Sequence, residues 1–108
     1  MSIPMSEEEF TAWTIDLFRS QGWLVHHDRP ARTSQGWRTA IQGDAGFPDI
    51  VAVRNGKVVF AELKSEKGKV SAEQKKWFDH MPGVGRSVIA GVFRPVDRPI
   101  LTDIAYNG

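Results

Sequence analysis

FPDIVAVRNGKVVFAELK, residues 47–64, reads as two β-strands joined by a tight turn. Val51-Ala52-Val53 and Val58-Val59-Phe60 are β-rich runs. Asn55-Gly56 between them is the strongest short hairpin signal, because a type I′ turn needs positive φ at both central residues. A two-residue loop there sets the register: Arg54 faces Lys57, Val53 faces Val58, Val51 faces Phe60, and Asp49 faces Glu62. Strand side chains alternate faces, so Lys64 shares a face with Glu62. Two carboxylates and a lysine thus converge at the end of an otherwise apolar sheet face.

Directly opposed like charges repel, and their burial costs free energy unless a cation lies between them. A divalent metal with oxygen ligands, of the kind that suits Mg²⁺ or Mn²⁺, satisfies that requirement. The ordinary alternative stays open. An Asp-x(12)-Glu-x-Lys spacing arises by chance, charges at strand ends are commonly solvated, and a one-residue slip moves every side chain to the other face.

A chain of 108 residues suits one domain with a modest core, here taken as residues 1–108. The absence of cysteine excludes disulfides and thiolate metal sites. No apolar run approaches a membrane span, and MSIPMSEEEF lacks a basic segment followed by an apolar one, so a soluble, cytoplasmic protein is expected. A net charge of +1 provides no global basic field, so any nucleic-acid contact must use local positive charge.

Outward from the hairpin, residues 6–21 read as a helix. Ser6 and Glu9 make a capping box, Met5 and Phe10 a hydrophobic staple, and Phe10, Trp13, Leu17 and Phe18 a buried stripe ending at Gly22. Glu7 lies at the edge of that stripe, where it can point at the end of the sheet. Trp23–His27 reads as a short strand whose histidines are solvated or face DNA. Residues 28–46 read as a long polar loop, in which Arg29, Arg32 and Arg38 fit phosphate contact and Trp37 fits stacking, or packing back on the body. Lys67 and Lys69, just after Lys64, are further candidates for phosphate contact, with a flexible connector as the alternative.

Residues 71–81 read as a second helix with a Ser71–Gln74 capping box. Gln74, Trp77, Phe78 and Met81 form its inner stripe, so Gln74 is either the cap alone or a hydrogen-bonding group near the site. Ser87–Phe93 is a continuous apolar run, expected as a strand buried on both faces and reached by a parallel crossover. Residues 95–108 read as a short terminal element packed on an edge. The expected order is α-β-β-β-α-β, a mixed sheet flanked by helices.

Gly46-Phe47-Pro48-Asp49 followed by Glu62-Leu63-Lys64 resembles the signature of PD-(D/E)XK nucleases, whose restriction-endonuclease-like core has that order. The runs GWLVHH (22–27), GWRT (36–39), GDAGFPDIVAV (43–53), FAELKSEKGKVSAEQKKW (60–77) and Phe93-Arg94-Pro95 look like the VRR-NUC family, in its small stand-alone phage and bacterial form. The likeness runs from about Glu7 to Asp97. After Pro95 the chain departs, with Val96-Asp97-Arg98 where the family often has Asp-Trp; this bears on the C-terminal element, not on the site.

The resemblance implies a metal-dependent DNA endonuclease that hydrolyses phosphodiester bonds. Asp49 and Glu62 would be metal ligands together with the Leu63 backbone carbonyl, and Glu7 a further acidic member of the site. Lys64 would orient the attacking water or stabilise developing charge, and Gln74 would lie beside them. Mg²⁺ is the implied cofactor, with Mn²⁺ as substitute. Branched DNA, four-way junctions in particular, and a homodimer are the implied partners, with no membrane and no small-molecule substrate. A non-catalytic DNA-binding module of the same fold, or an RNA-directed or toxin-like nuclease, are the alternatives.

Overall fold

Both capping boxes start helices where the sequence places them. Ser6 Oγ accepts from Glu9 N–H at 3.0 Å while Glu9 Oε1 accepts from Ser6 N–H at 3.0 Å, and helix α1 spans Glu7–Ser20. Ser71 and Gln74 repeat the exchange at 3.1 and 2.9 Å, and α2 spans Ala72–Asp79. Each box satisfies two backbone donors that a helix start otherwise leaves open. This computed structural model describes residues 4–28, 31–33, 36–38, 42–81, 83 and 85–108, with side chains described outside 31–33 and 36–38.

The four-stranded sheet is built outward from the hairpin. Strands β1 (Leu24–His27), β4 (Ile50–Arg54), β5 (Lys57–Leu63) and β6 (Val88–Phe93) lie in the order β1-β4-β5-β6. Asn55 and Gly56 both have positive φ, 49° and 79°, as a type I′ turn requires. The expected register forms without a bulge: Arg54 opposite Lys57, Val53 opposite Val58, Val51 opposite Phe60, and Ile50 opposite Ala61. Strand β6 pairs with β5 in parallel, the crossover passing through α2.

Parity then divides the sheet into two unlike faces. Ile50, Ala52, Val59, Ala61 and Leu63 point to one side, where Phe10 and Phe18 of α1, Trp23, and Leu101 and Ala105 of a third helix, α3 (Arg98–Asn107), complete the core. Each of these residues is at most 3% exposed. The other side carries Val51, Val53, Val58, Phe60 and Glu62. Helix α2, which covers part of it, has no buried residue.

Four expectations need correction. Residues 28–46 are not all loop: β2 (Ala31–Thr33) and β3 (Gly36–Arg38) pair antiparallel as a separate two-stranded sheet. Their polar sequence lacks both the apolar alternation and the Asn-Gly turn that mark a hairpin. Strand β6 is an edge strand with only Ala90 buried, because an apolar run does not distinguish a central strand from an edge strand covered by loops and a helix. The terminal segment is no edge element. After a 3-10 turn at Pro95–Asp97, α3 inserts Leu101 and Ala105, both 0% exposed, into the core, and Ala105 O accepts from the Trp23 indole at 2.9 Å. The stripe of α1 is shifted: Thr14 is buried between Phe10 and Phe18, while Trp13 and Leu17 are half-buried.

At the turn end of the sheet, the Arg54 guanidinium sits 4.9 Å over Trp23. It donates to Gln21 O at the end of α1 and to Gly108 O after α3, both at 2.7 Å. A cation there offsets the negative ends of both helices. Among the described residues, no helix is long and apolar enough to cross a membrane.

Candidate active site

The opposite end of the sheet is where β4 begins and β5 ends. Asp49 immediately precedes Ile50, and Glu62 immediately follows Ala61, Ile50's partner. The two acids therefore meet as the register requires. Asp49 N–H donates to Glu62 Oε1 at 3.2 Å, and Leu63 N–H donates to Asp49 Oδ2 at 3.2 Å. Each carboxylate thus binds the backbone of the other's strand, and the pair replaces the next rung of the ladder.

Glu62 is 1% exposed, a buried acid in a chain whose other buried polar side chain is Thr14 among the described residues. Loss of solvent, then the Asp49 charge and a hydrogen bond with its side chain, push the Glu62 carboxyl up to about 8. The Lys64 charge and the Asp49 N–H act the other way without cancelling this. Lys64 Nζ lies 3.5 Å from Glu62 Oε2, with its side chain 14% exposed. At neutral pH and without a cation, the acid pair holds a proton that two solvated carboxylates would release.

Gln74 joins its two readings into one. Its Oε1 accepts from Ser71 N–H, which makes the capping box, and its Nε2 donates to Glu62 Oε2 at 2.7 Å. The cap orients the amide so that its donor faces the acid. Helix α2 is held in place by the loop before β4. Trp77 Nε1 donates to Ala45 O at 2.9 Å, and Phe47 stands edge-on to both Trp77 and Phe60, with centroids 5.1 and 6.2 Å apart. Gly46 makes the approach possible: φ is +96°, and a Cβ there would lie 2.5–2.7 Å from the Glu73 and Gln74 backbone.

The Leu63 carbonyl is placed by the other ladder. Leu63 pairs with Phe93, and Lys64 N–H donates to Phe93 O at 3.0 Å. In a parallel ladder this turns Leu63's own N–H and C=O to the other edge of β5, toward Asp49. The Leu63 N–H bond to Asp49 agrees with that. Two carboxylates and a carbonyl on one side are hard oxygen donors, a set that fits Mg²⁺ or Mn²⁺ and not a thiolate-seeking metal. Among the described residues, no three His, Cys, Asp or Glu side chains converge as a metal-ligating group.

A cleft of about 450 Å³ opens at this end, lined by Asp49 and Gln74 and, from α1 and β1, by Glu7, Thr11 and His27. Glu7 therefore lines the same cleft as Asp49, but among the described residues it does not complete a three-residue ligating group. His27 lines the cleft, whereas His26 bonds Asp28 at 2.7 Å on the exposed side. Lys67 and Lys69 are exposed on the segment after Lys64. Arg32 and Arg38 lie on β2 and β3, and Arg29 falls outside the described residues. The roles of Gly46 and Trp77 are not apparent from spacing. A glycine just before Phe-Pro is the signal for the first; the second acts through a tertiary contact.

The family model of the VRR-NUC domain matches residues 19–92, a span that holds both acids, Lys64, Gln74 and nearly all of β6. No curated protein matches the chain.

Proposed function

The chain belongs to the VRR-NUC family of nuclease domains, and from that premise we propose that residues 1–108 form one divalent-metal-dependent DNA endonuclease domain. One observation supports the reading above the rest: a carboxylate pair held in contact, one member lining the cleft and the other buried.

Asp49 and Glu62 would hold the metal, with the Leu63 carbonyl as third oxygen donor. Bound Mg²⁺, or Mn²⁺ in its place, neutralises phosphate oxygens and lowers the pKa of the attacking water. Gln74 fixes the Glu62 carboxylate through its Nε2. Lys64, its ammonium 3.5 Å from Glu62, would stabilise charge gathering on the phosphate oxygens and orient the water. Glu7, which lines the same cleft as Asp49, would be a further acidic member of the site. Lys67 and Lys69, together with Arg29, Arg32 and Arg38, are the phosphate contacts, giving an affinity for DNA that falls steeply with salt in a binding titration. A flat salt response removes them from that role.

The natural substrate in this reading is branched DNA, with a homodimer presenting two sites to two strands of a four-way junction. The test is to incubate the protein and its Glu62→Gln variant with linear, nicked, flap and four-way-junction DNA in Mg²⁺, Mn²⁺ or EDTA, and to measure mass by ultracentrifugation. Junction cleavage by the native protein alone, lost in EDTA, is expected. Cleavage that persists in EDTA or in the variant sinks the mechanism, and a monomer at working concentration sinks paired cleavage.

A further inference from the structure

Beyond the acids, the segment that follows Lys64 is tied to the end of β6 by a set of contacts the site itself does not explain. Arg94 Nη1 donates to Ser65 O at 2.6 Å and to Glu66 O at 3.2 Å. In return, Glu66 Oε1 accepts from Val96 N–H at 2.6 Å. Each side chain thus bonds the backbone of the other's turn, a clasp between the two. The Arg94 end is itself anchored, since its N–H donates to Asp97 Oδ2 at 2.8 Å. Lys64 N–H, immediately before the clasp, is held by Phe93 O at 3.0 Å.

The clasped turn lies against the lysine. Gly68 N–H donates to Ser65 O at 3.1 Å, closing the turn. A Cβ on Gly68 would come within 3.4 Å of Lys64 Cβ, so this backbone packs beside the root of that side chain. A lysine has many rotamers, and holding its ammonium beside Glu62 requires its backbone and stem to be restrained. The Ser65–Glu66 peptides are the first past the end of β5, where the sheet no longer supplies that restraint.

We infer that Arg94 and Glu66 are positioning residues whose clasp aims the Lys64 ammonium at the reacting phosphate. This rests on the role given to Lys64 above. Neither residue touches DNA in this account; both act through the lysine. The contribution of Glu66 is an acceptor oxygen, not a charge, so glutamine preserves it. That of Arg94 is a donor reaching two carbonyls, which lysine reproduces in part.

The test compares Arg94→Ala, Arg94→Lys, Glu66→Ala and Glu66→Gln in the full chain by two readouts. The first is the rate of acylation of Lys64 by an amine reagent in metal-free protein, followed by mass spectrometry with Lys57 as internal control. The second is Mg²⁺-dependent cleavage of junction DNA, separated into kcat and KM. Both alanine variants are expected to raise Lys64 acylation several-fold without changing Lys57. They should lower kcat about tenfold at constant KM, the size of a lost supporting contact. Glu66→Gln should stay within about twofold of the native protein and Arg94→Lys should fall between. Unchanged Lys64 acylation in both alanine variants overturns the inference. So does equal loosening of Lys57 and Lys64, a loss confined to KM, or a Glu66→Gln variant as impaired as Glu66→Ala. If acylation responds as expected but the native protein cleaves nothing, the nuclease reading fails while the clasp stands.

Discussion

The two faces of the sheet use the same strands for opposite ends. On one face, Ile50, Ala52, Val59, Ala61 and Leu63 are at most 1% exposed and pack under α1 and α3. On the other, Val53 is 37% exposed, α2 buries no residue, and the most deeply buried group is a carboxylate, Glu62. The period of two makes this possible, because alternate residues of one strand enter different environments. The first face supplies hydrophobic stabilisation. That surplus lets the second carry an acid whose burial opposes folding. At the end of β5 and the residue that follows it, the two roles alternate along Ala61, Glu62, Leu63 and Lys64.

The sharpest way to break this comparison is to remove the charge. Glu62→Gln should reduce cleavage about 10²–10³-fold, as loss of a principal electrostatic group does, while its melting midpoint stays level or rises because no buried acid remains to be desolvated. A variant that loses activity together with its fold would show that Glu62 is structural.

The converse change belongs to the first face. Phe18→Ala, at a site 1% exposed, should lower stability by about 3–5 kcal/mol in urea titration. At a temperature where the variant remains folded, its cleavage rate should be near native. A specific loss of cleavage there would mean that the faces are not separable.

Gly46→Ala probes their junction. A Cβ at φ +96° and 2.5 Å from the Glu73 backbone forces the loop off α2, at a cost of about 1–3 kcal/mol. It should also withdraw Gln74 from Glu62 and lower cleavage about 10–100-fold. Native activity in this variant would detach Gln74 from the mechanism.

Taken per pH unit, the smallest effect is the pH dependence of stability. The Glu62 carboxyl is raised in the folded state from its ordinary 4.5 to about 8, so the folded chain binds more protons than the unfolded one between those values. Its contribution to stability is full below about 4.5 and lost as pH rises through about 8. In EDTA, stability should therefore fall by about 1 kcal/mol per pH unit within that window, and Glu62→Gln should flatten the slope. An equally steep slope in the variant would assign the effect to another group.

Much of this was legible beforehand because it is local. Asn55-Gly56 admits one turn and hence one register, which brings Asp49 to Glu62. Ser6–Glu9 and Ser71–Gln74 mark helix starts by exchanges that span three residues. The rest was hidden where the deciding contact is distant in the chain. The apolar run of β6 reads the same at an edge as in the centre. The stretch β2–β3 has too little apolar alternation to announce a hairpin. Nothing in residues 98–107 declares that Leu101 and Ala105 fill a core whose other walls come from residues 10–63.

By itself, then, the sequence determined the hairpin register, the helix starts, the parity that sets Asp49, Glu62 and Lys64 on one face, and through its motifs the nuclease family. Each follows from short-range geometry or from residue order. Only the tertiary structure decided that Glu62 is buried and its pKa raised, that Gly46 and Trp77 dock α2 so that Gln74 reaches the acid, and that Arg94 and Glu66 close on the turn beside Lys64. These depend on which surfaces meet across gaps of 12 to 32 residues. Desolvation and packing are properties of those meetings, and no local pattern encodes them.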